Sequence, residues 1–474
     1  MNKNTLIVKP HIFTFYHIFL KAFFLLIFPF LQQVFLYPES IWQKINYTIF
    51  NVLFIVIMFA IIYFEFKQIS YFQTPHRITF KKGLFHGTEI NLPANEITAV
   101  SVTRSIMLWL AKCCRVYISS STCCKTRKVE LFTSDNYAKQ IVSFTTDKSA
   151  RHTLYKSRVL YPTLMALTQS NALTGAFAIS VIIQRLSTLL GEKLANTVIE
   201  KLTIFPNIIL KGIPPTLGYV AGFIFAGFLF GLISRIFINL NFTSFYNTRF
   251  LFVHKGFLKK SILCVKKSNL NGVLIKQTLL MSIVKIYTIS LLYTGFKDDK
   301  NSGVYIPITL GNKLEAYISP VIPVESFYRK VQPPKTSIFS YIYPPLIYLG
   351  ILVLFSALLY EHFEISFITR FISLALIPIG VLWLWFRLIA FEHCKVSYSE
   401  NTIKINYYKK LNLMTALVKK NTVTKAVVSR NLIQRLFKKC HLTLYICDKK
   451  KVKIKIKHLN YNDVIKFITN STLL

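Results

Sequence analysis

Long apolar stretches alternate three times with polar segments along this chain of 474 residues. Six stretches come close to the ~20 residues a helix needs to cross a bilayer. They run from about Ile18 to Tyr37, Tyr47 to Phe64, Leu160 to Ile183, Thr216 to Phe237, Ser340 to Tyr360 and Phe371 to Phe391. Behind each pair lies a polar segment containing one recurring block. Thirteen residues from Leu92 (LPANEITAVSVTR) return without a gap at Val265 (VKKSNLNGVLIKQ) and at Val418 (VKKNTVTKAVVSR). Apolar residues hold the same places in each: Leu92, Ile97, Val100, Val102; Val265, Leu270, Val273, Ile275; Val418, Val423, Ala426, Val428. The last three alternate as in a half-buried strand. The chain therefore reads as one module written three times.

Each polar segment opens with a strand pair around a turn, over Arg77 to Phe85, Arg249 to Leu258 and Ser399 to Leu411. Lys82-Gly83 and Lys255-Gly256 suit a turn that needs positive φ. The block follows as a strand ending at or beside Arg104, Lys276 or Arg430, and then come an apolar stretch and a β-rich run (Arg115 to Ser119, Ile286 to Leu292, His441 to Cys447). Hairpin tips follow at Ser121 to Arg127, Asp298 to Ser302 and Asp448 to Lys451. A short helix closes each copy, with capping-type starts at Ser134-Asp135, Gly311-Asn312 and Asn460. Six or seven short strands and one closing helix predict a small, strongly bent sheet or barrel plugged by that helix. The expected fold class is membrane α+β, with six transmembrane helices in three pairs, each pair followed by such a domain. The expected boundaries are 1–64 for the first pair, 65–158, 159–241 for the second pair with its connector, 242–335, 336–391 for the third pair, and 392–474.

The order of elements resembles a pleckstrin-homology (PH) fold. With the three blocks, the two Lys-Gly turns and Gln277, the chain resembles bacterial pleckstrin-homology-like membrane proteins of the YdbT type, in which a pair of spans precedes each of three domains. Arg104 and Arg430 depart from that Gln, and the third copy lacks the turn Gly. The resemblance implies a bacterial cell-envelope protein and carries no catalytic activity with it.

Charge sharpens the membrane reading. Only 16% of residues are charged, the net charge is +39, and Phe and Tyr number 41 and 25. Lys and Arg outnumber Asp and Glu by 15 to 6, 14 to 4 and 18 to 4 in the three polar segments, whereas connectors 38–46 and 361–370 are neutral or acidic. Basic flanks at Lys3, Lys9, Lys67, Lys156, Arg158, Lys330, Lys335 and Lys395 place both termini and all three domains in the cytoplasm under the positive-inside rule. The expected location is the bacterial plasma membrane. The connector from Leu186 to Leu202 has apolar residues at helical spacing and is expected to lie flat on the outer leaflet.

Candidate chemistry is sparse. No G-x4-GK[ST], G-x-G-x2-G, H-E-x2-H or G-x-S-x-G is present, so no cofactor is expected and the chain reads as non-enzymatic. Cys113-Cys114 and Cys123-Cys124 lack zinc-ribbon spacing and read as small apolar residues in a reducing compartment. Gly218, Gly222, Gly227 and Gly231 put small residues on one side of the fourth span and permit close helix approach. Gln169, Ser170 and Asn171 in the third span suit hydrogen bonds between helices. The lysine doublets Lys81-Lys82, Lys259-Lys260, Lys266-Lys267, Lys409-Lys410 and Lys419-Lys420 are candidate contacts for an anionic leaflet. The function expected is an interaction or membrane-surface scaffold in envelope maintenance, with membrane lipids and another membrane protein or a second copy as partners. A transporter or channel component is the alternative, and nucleic-acid binding a minor one. The positive-inside rule already accounts for the basic charge, so no nucleic-acid partner is expected.

Overall fold

The computed structural model describes residues 6–8, 10–23, 41–74, 76–83, 87–122, 125–145, 152–157, 160–169, 215–293, 303–323, 325–327, 330–362, 367–446 and 452–470. The chain forms two compact units that cut across the sequence modules. Unit 1 comprises residues 1–153, 245–269 and 294–302; unit 2 comprises 154–244, 270–293 and 303–474.

In unit 1, β1 (Leu6–Val8), β2 (Ser70–Thr74), β3 (Arg77–Lys82) and β4 (Thr88–Pro93) form one antiparallel sheet in that order. Gly83, with φ of 120°, makes the predicted left-handed turn after β3. β5 (Ile97–Arg104), β6 (Cys113–Thr122) and β7 (Lys125–Ser134) form a second antiparallel layer. Two short strands, β8 (His152–Lys156) and β9 (Thr243–Tyr246), precede the second module. The open edge of β5 is covered by β11 (Lys260–Lys266), itself paired with β10 (Phe250–Lys255), both from that second module. Between the layers lie Ile78, Phe80, Leu92, Ile97, Val100, Val102, Val116, Ile118, Val129 and Leu131. The helix α3 (Asp135–Thr145) closes this core with Ala138 and Ile141. Unit 1 also contains the helical residues 13–23, α1 (Ile41–Gln68) and the short α2 (Ile106–Leu110).

Unit 2 repeats the arrangement one module later. Its sheet runs β14 (Val304–Leu310), β13 (Ile286–Tyr293), β12 (Leu270–Thr278), β18 (Asn412–Lys419), β17 (Thr402–Lys409), β16 (Lys395–Tyr398) and β15 (Lys330–Val331). A three-stranded sheet β19 (Val423–Ser429), β20 (Lys439–Ile446), β21 (Val452–Asn460) completes it. Between them lie Val396, Ile403, Ile405, Ala416, Val418, Leu442, Leu444 and Ile454, and the helix α11 (Tyr461–Asn470) inserts Val464, Phe467 and Ile468. The remaining helices are α4 (Leu160–Gln169), α5 (Pro215–Asn239), α6 (Leu279–Ile283), α7 (Leu314–Ile318), α8 (Ile338–His362), α9 (Phe367–His393) and α10 (Leu432–Leu436).

The block keeps its geometry in all three copies. A 3-10 turn forms at Ala94–Glu96, Lys267–Asn269 and Lys420–Thr422, and a bulge follows at Ile97/Ala99, Leu270/Gly272 and Val423/Lys425. The two junctions between modules also share one register. The eighth residue of one block faces the first residue of the next: Ala99 faces Val265, and Gly272 faces Val418. Gly272 is required there, since a Cβ on it would come within 2.3 Å of the Leu417 carbonyl oxygen.

One expectation is corrected and another is met in part. The layers are open sheets and do not close into barrels, because each module's second half continues edge to edge into the next module's first half. Three helices among the described residues, not six, are long and apolar enough to cross a membrane: Thr48–Gln68, Lys335–Ala357 and Leu376–His393. The fourth stretch is described as the shorter apolar helix Ile224–Asn239. The first and third are helical over residues 13–23 and in α4, and then pass outside the described residues. The connector from Leu186 to Leu202, Ser170, Asn171, Cys123, Cys124 and the tips at Asp298 to Ser302 and Asp448 to Lys451 also lie outside them.

Candidate functional site: apolar corners ringed by lysines

Behind each block the chain makes the same corner. A side chain caps the first turn: the Ser105 hydroxyl accepts from the Leu108 N–H, and the Thr278 hydroxyl accepts from the Met281 N–H. In the third copy, at Asn431, the backbone N–H donates to the Gln434 side chain. One turn of helix follows (α2, α6, α10), and a lysine in left-handed conformation ends the corner: Lys112, Lys285 and Lys438, with φ of 50°, 55° and 51°. Five residues cannot bury more than one side chain inward. Leu108, Met281 and Gln434 take that place. Most of the others are exposed and apolar. Ile106, Met107, Trp109 (59% exposed) and Leu110 (71%) are exposed on α2; Leu280, Ile283 and Val284 are exposed on and just after α6. Leu432, Leu436 (81%) and Phe437 are exposed at α10.

The junction register brings a hairpin turn to two of these corners. Because Arg104 pairs with Lys260, the turn from Gly256 to Lys259 leaves the sheet at the same end as α2, adding exposed Phe257 and Leu258. Because Thr278 pairs with Asn412, the turn at Lys410 and Leu411 joins α6 in the same way. Cations rim both patches: Lys112, Lys259 and Lys260 in one, Lys285, Lys409 and Lys410 in the other. Arg435 and Lys438 flank the third.

Each corner is tied to an apolar helix through the first residue of the next strand. Cys113, with Leu108, packs on Phe13 at the start of helical residues 13–23. Ile286 packs on Met165 of α4. Lys439 Nζ donates to the Thr336 carbonyl at the head of α8, 2.9 Å away. Ser337 Oγ and Tyr341 OH donate to the carbonyls of His458 and Lys457 at 3.1 and 3.0 Å. Leu279 of α6 packs with Leu413 and Tyr408 on Phe386 and Ala390 of α9. The second corner therefore lies alongside the last turns of a candidate span, rather than beyond its end.

The ten lysines of the doublets separate into two groups. Lys81, Lys82, Lys259, Lys260, Lys409 and Lys410 lie at hairpin ends, and the last four rim the apolar patches. Lys81 and Lys82 are engaged with Glu89 and Glu65 at 3.2 and 3.3 Å. Lys266, Lys267, Lys419 and Lys420 lie at the opposite ends of β11 and β18. Lys266 donates to the Asn95 carbonyl, and Lys267 lies over the Tyr246 ring, with burial lowering its pKa. Lys419 and Lys420 line a cleft of about 790 Å³ with Glu325, Glu400 and Asn401, where Glu325 accepts from Ser399 and Asn401. Of the four glycines, Gly227 is buried and Gly231 half-buried in α5; the surroundings of Gly218 and Gly222 lie outside the described residues.

The corners hold no poised nucleophile. Cys114 donates to Asp135 Oδ1 at 2.6 Å, and Asp135 also pairs with Arg104. Burial and that carboxylate push the Cys114 thiol up to about 12; burial pushes Cys113 up to about 11. Both are protonated at neutral pH, and no group of three metal-ligating side chains forms among the described residues.

A family model for the bacterial PH domain matches residues 18–140 and 204–321, just over half of the chain. The chain belongs to that family. Each match starts in the apolar region ahead of its sheets, so in this chain the bacterial PH repeat extends over apolar helix and sheet domain together. The third module of this bacterial PH protein lies beyond the matches and carries the same turn, bulge and corner as the first two. No curated protein and no solved structure matches the chain.

Proposed function

We propose that this chain is a non-enzymatic, multi-pass protein of the bacterial plasma membrane, with six spans and with both termini and all PH-like modules in the cytoplasm. In this reading the modules act as a scaffold in envelope maintenance, engaging membrane lipids and another membrane protein or a second copy. The observation that carries it is the pair of edge-to-edge junctions in one register, each of which joins the second half of one module to the first half of the next. Basic flanks and neutral or acidic connectors support the orientation. The test is labelling of single introduced cysteines at positions 250 and 474 in intact cells. Protection from an impermeant reagent is the expected result, and labelling at either position overturns the topology. Substrate-dependent flux in proteoliposomes would replace the scaffold with a transporter.

A further inference from the structure

We propose that the apolar corners are interfacial wedges that insert between the headgroups of an anionic lipid leaflet beside the spans. The proposal rests on the membrane reading above and adds which side chains touch lipid. Solvent-exposed Trp, Leu, Ile and Phe on one-turn helices have no reason to recur three times in one place on a surface meant for water. A membrane interface resolves this, because an apolar face enters the headgroup boundary while its basic rim stays among phosphates.

Three features of the structure select lipid as the occupant. The corners are fixed at the heads or flanks of the apolar helices, with Leu279 held against Phe386 and Ala390 inside α9. The rim is cationic, with Lys112, Lys259 and Lys260 at one corner and Lys285, Lys409 and Lys410 at the next, and the carboxylate nearest the first corner, Asp135, is paired with Arg104. The left-handed lysines Lys112, Lys285 and Lys438 end each helix and fix where the rim begins. Anionic headgroups attract such a rim within about a Debye length.

The full-length protein is reconstituted in phosphatidylcholine vesicles with or without phosphatidylglycerol, with the phosphatidylcholine brominated high on its acyl chains. The emission of Trp109 is read as the difference between the wild type and Trp109→Phe, and that of the spans from Trp383→Phe and Trp385→Phe. The expected result is loss of most Trp109 emission to lipid bromine, protection from aqueous iodide, and deeper quenching when phosphatidylglycerol is present. Span tryptophans quenched by lipid with Trp109 quenched only by iodide would overturn the wedge and leave the membrane reading standing. Lipid quenching of neither set would overturn both. Leu436→Trp gives an independent reading at the third corner, and it must be quenched by lipid in the same way. The triple variant Lys112→Gln, Lys259→Gln, Lys260→Gln is expected to abolish the gain from phosphatidylglycerol while keeping the quenching in phosphatidylcholine. An unchanged gain would overturn the role of the rim.

Discussion

The two junctions inside the chain and the two outer strands, β4 and β19, are built from the same repeat, a block strand or the strand just ahead of a block, and end differently. At the junctions the eighth block residue is Ala99 or Gly272, buried against the next strand; in β19 it is exposed Lys425. Facing Val102 and Ile275 across the junctions are Ile262 and Thr415; the corresponding place in β4 holds exposed Glu89, paired with Lys81. Lys425 and Glu89 would fall on opposite faces of a β19–β4 pair and could not neutralise one another. Charge at these two places blunts the edges that repetition would otherwise leave adhesive.

The comparison can be broken from the inside first. Gly272→Lys places the β19 residue in a closed junction, where even a Cβ meets the Leu417 carbonyl. We expect a loss of at least ~3 kcal/mol from overpacking and a trapped charge, read as proteolysis of unit 2. Lys at 272 with wild-type protease resistance would show that the junction is loose. Next in size is the converse. Lys425→Gly combined with Glu89→Ile should leave each chain folded and produce concentration-dependent head-to-tail association in detergent, since such a contact is heterologous and does not close on itself. An unchanged sedimentation profile would mean that the edges are protected by something other than these charges.

The smallest expected effect concerns acid. His441 sits where the other modules have Arg115 and Thr288; its Nδ1 accepts from the His458 N–H at 3.1 Å, and its Nε2 touches Gln434 at 2.9 Å. Burial first, then nearby lysines or the other histidine, lowers both histidines from 6.5 to about 4. Both are neutral in the fold, so their contribution is complete above pH 6.5. It is lost as pH falls towards 4, where the unfolded chain takes up protons that the fold refuses. Melting of the third module should therefore shift down over this window. His441→Gln should flatten the shift.

Much of this was legible in sequence, and the exceptions have physical causes. The ungapped block encoded turn, strand and bulge because each depends on neighbours in the chain. The closing helices were marked by local caps, as where Asn460 Oδ1 accepts from the Asn462 N–H. That β5 pairs with β11 was not legible, since alternation sets which face is buried and leaves the partner of an edge open. In sequence the corners read only as apolar stretches, because five residues are too few to show a helical period. Their signal was the repeated frame of basic residues, Arg104 to Lys112, Lys276 to Lys285 and Arg430 to Lys438. The doublets could not be sorted by sequence into near and far ends of a strand. Only the register that sets Lys260 beside Arg104 does that.

The exchanged pairing also fixes a schedule. Arg104 leaves the ribosome roughly 150 residues before its partner Lys260, which at ~5–20 residues per second is a wait on the order of ten seconds or more. Throughout that interval β5 presents a bare edge with no blunting charge, since Ala99 has the place that Lys425 holds in β19. The edge is sealed only once Lys260–Lys266 has itself emerged.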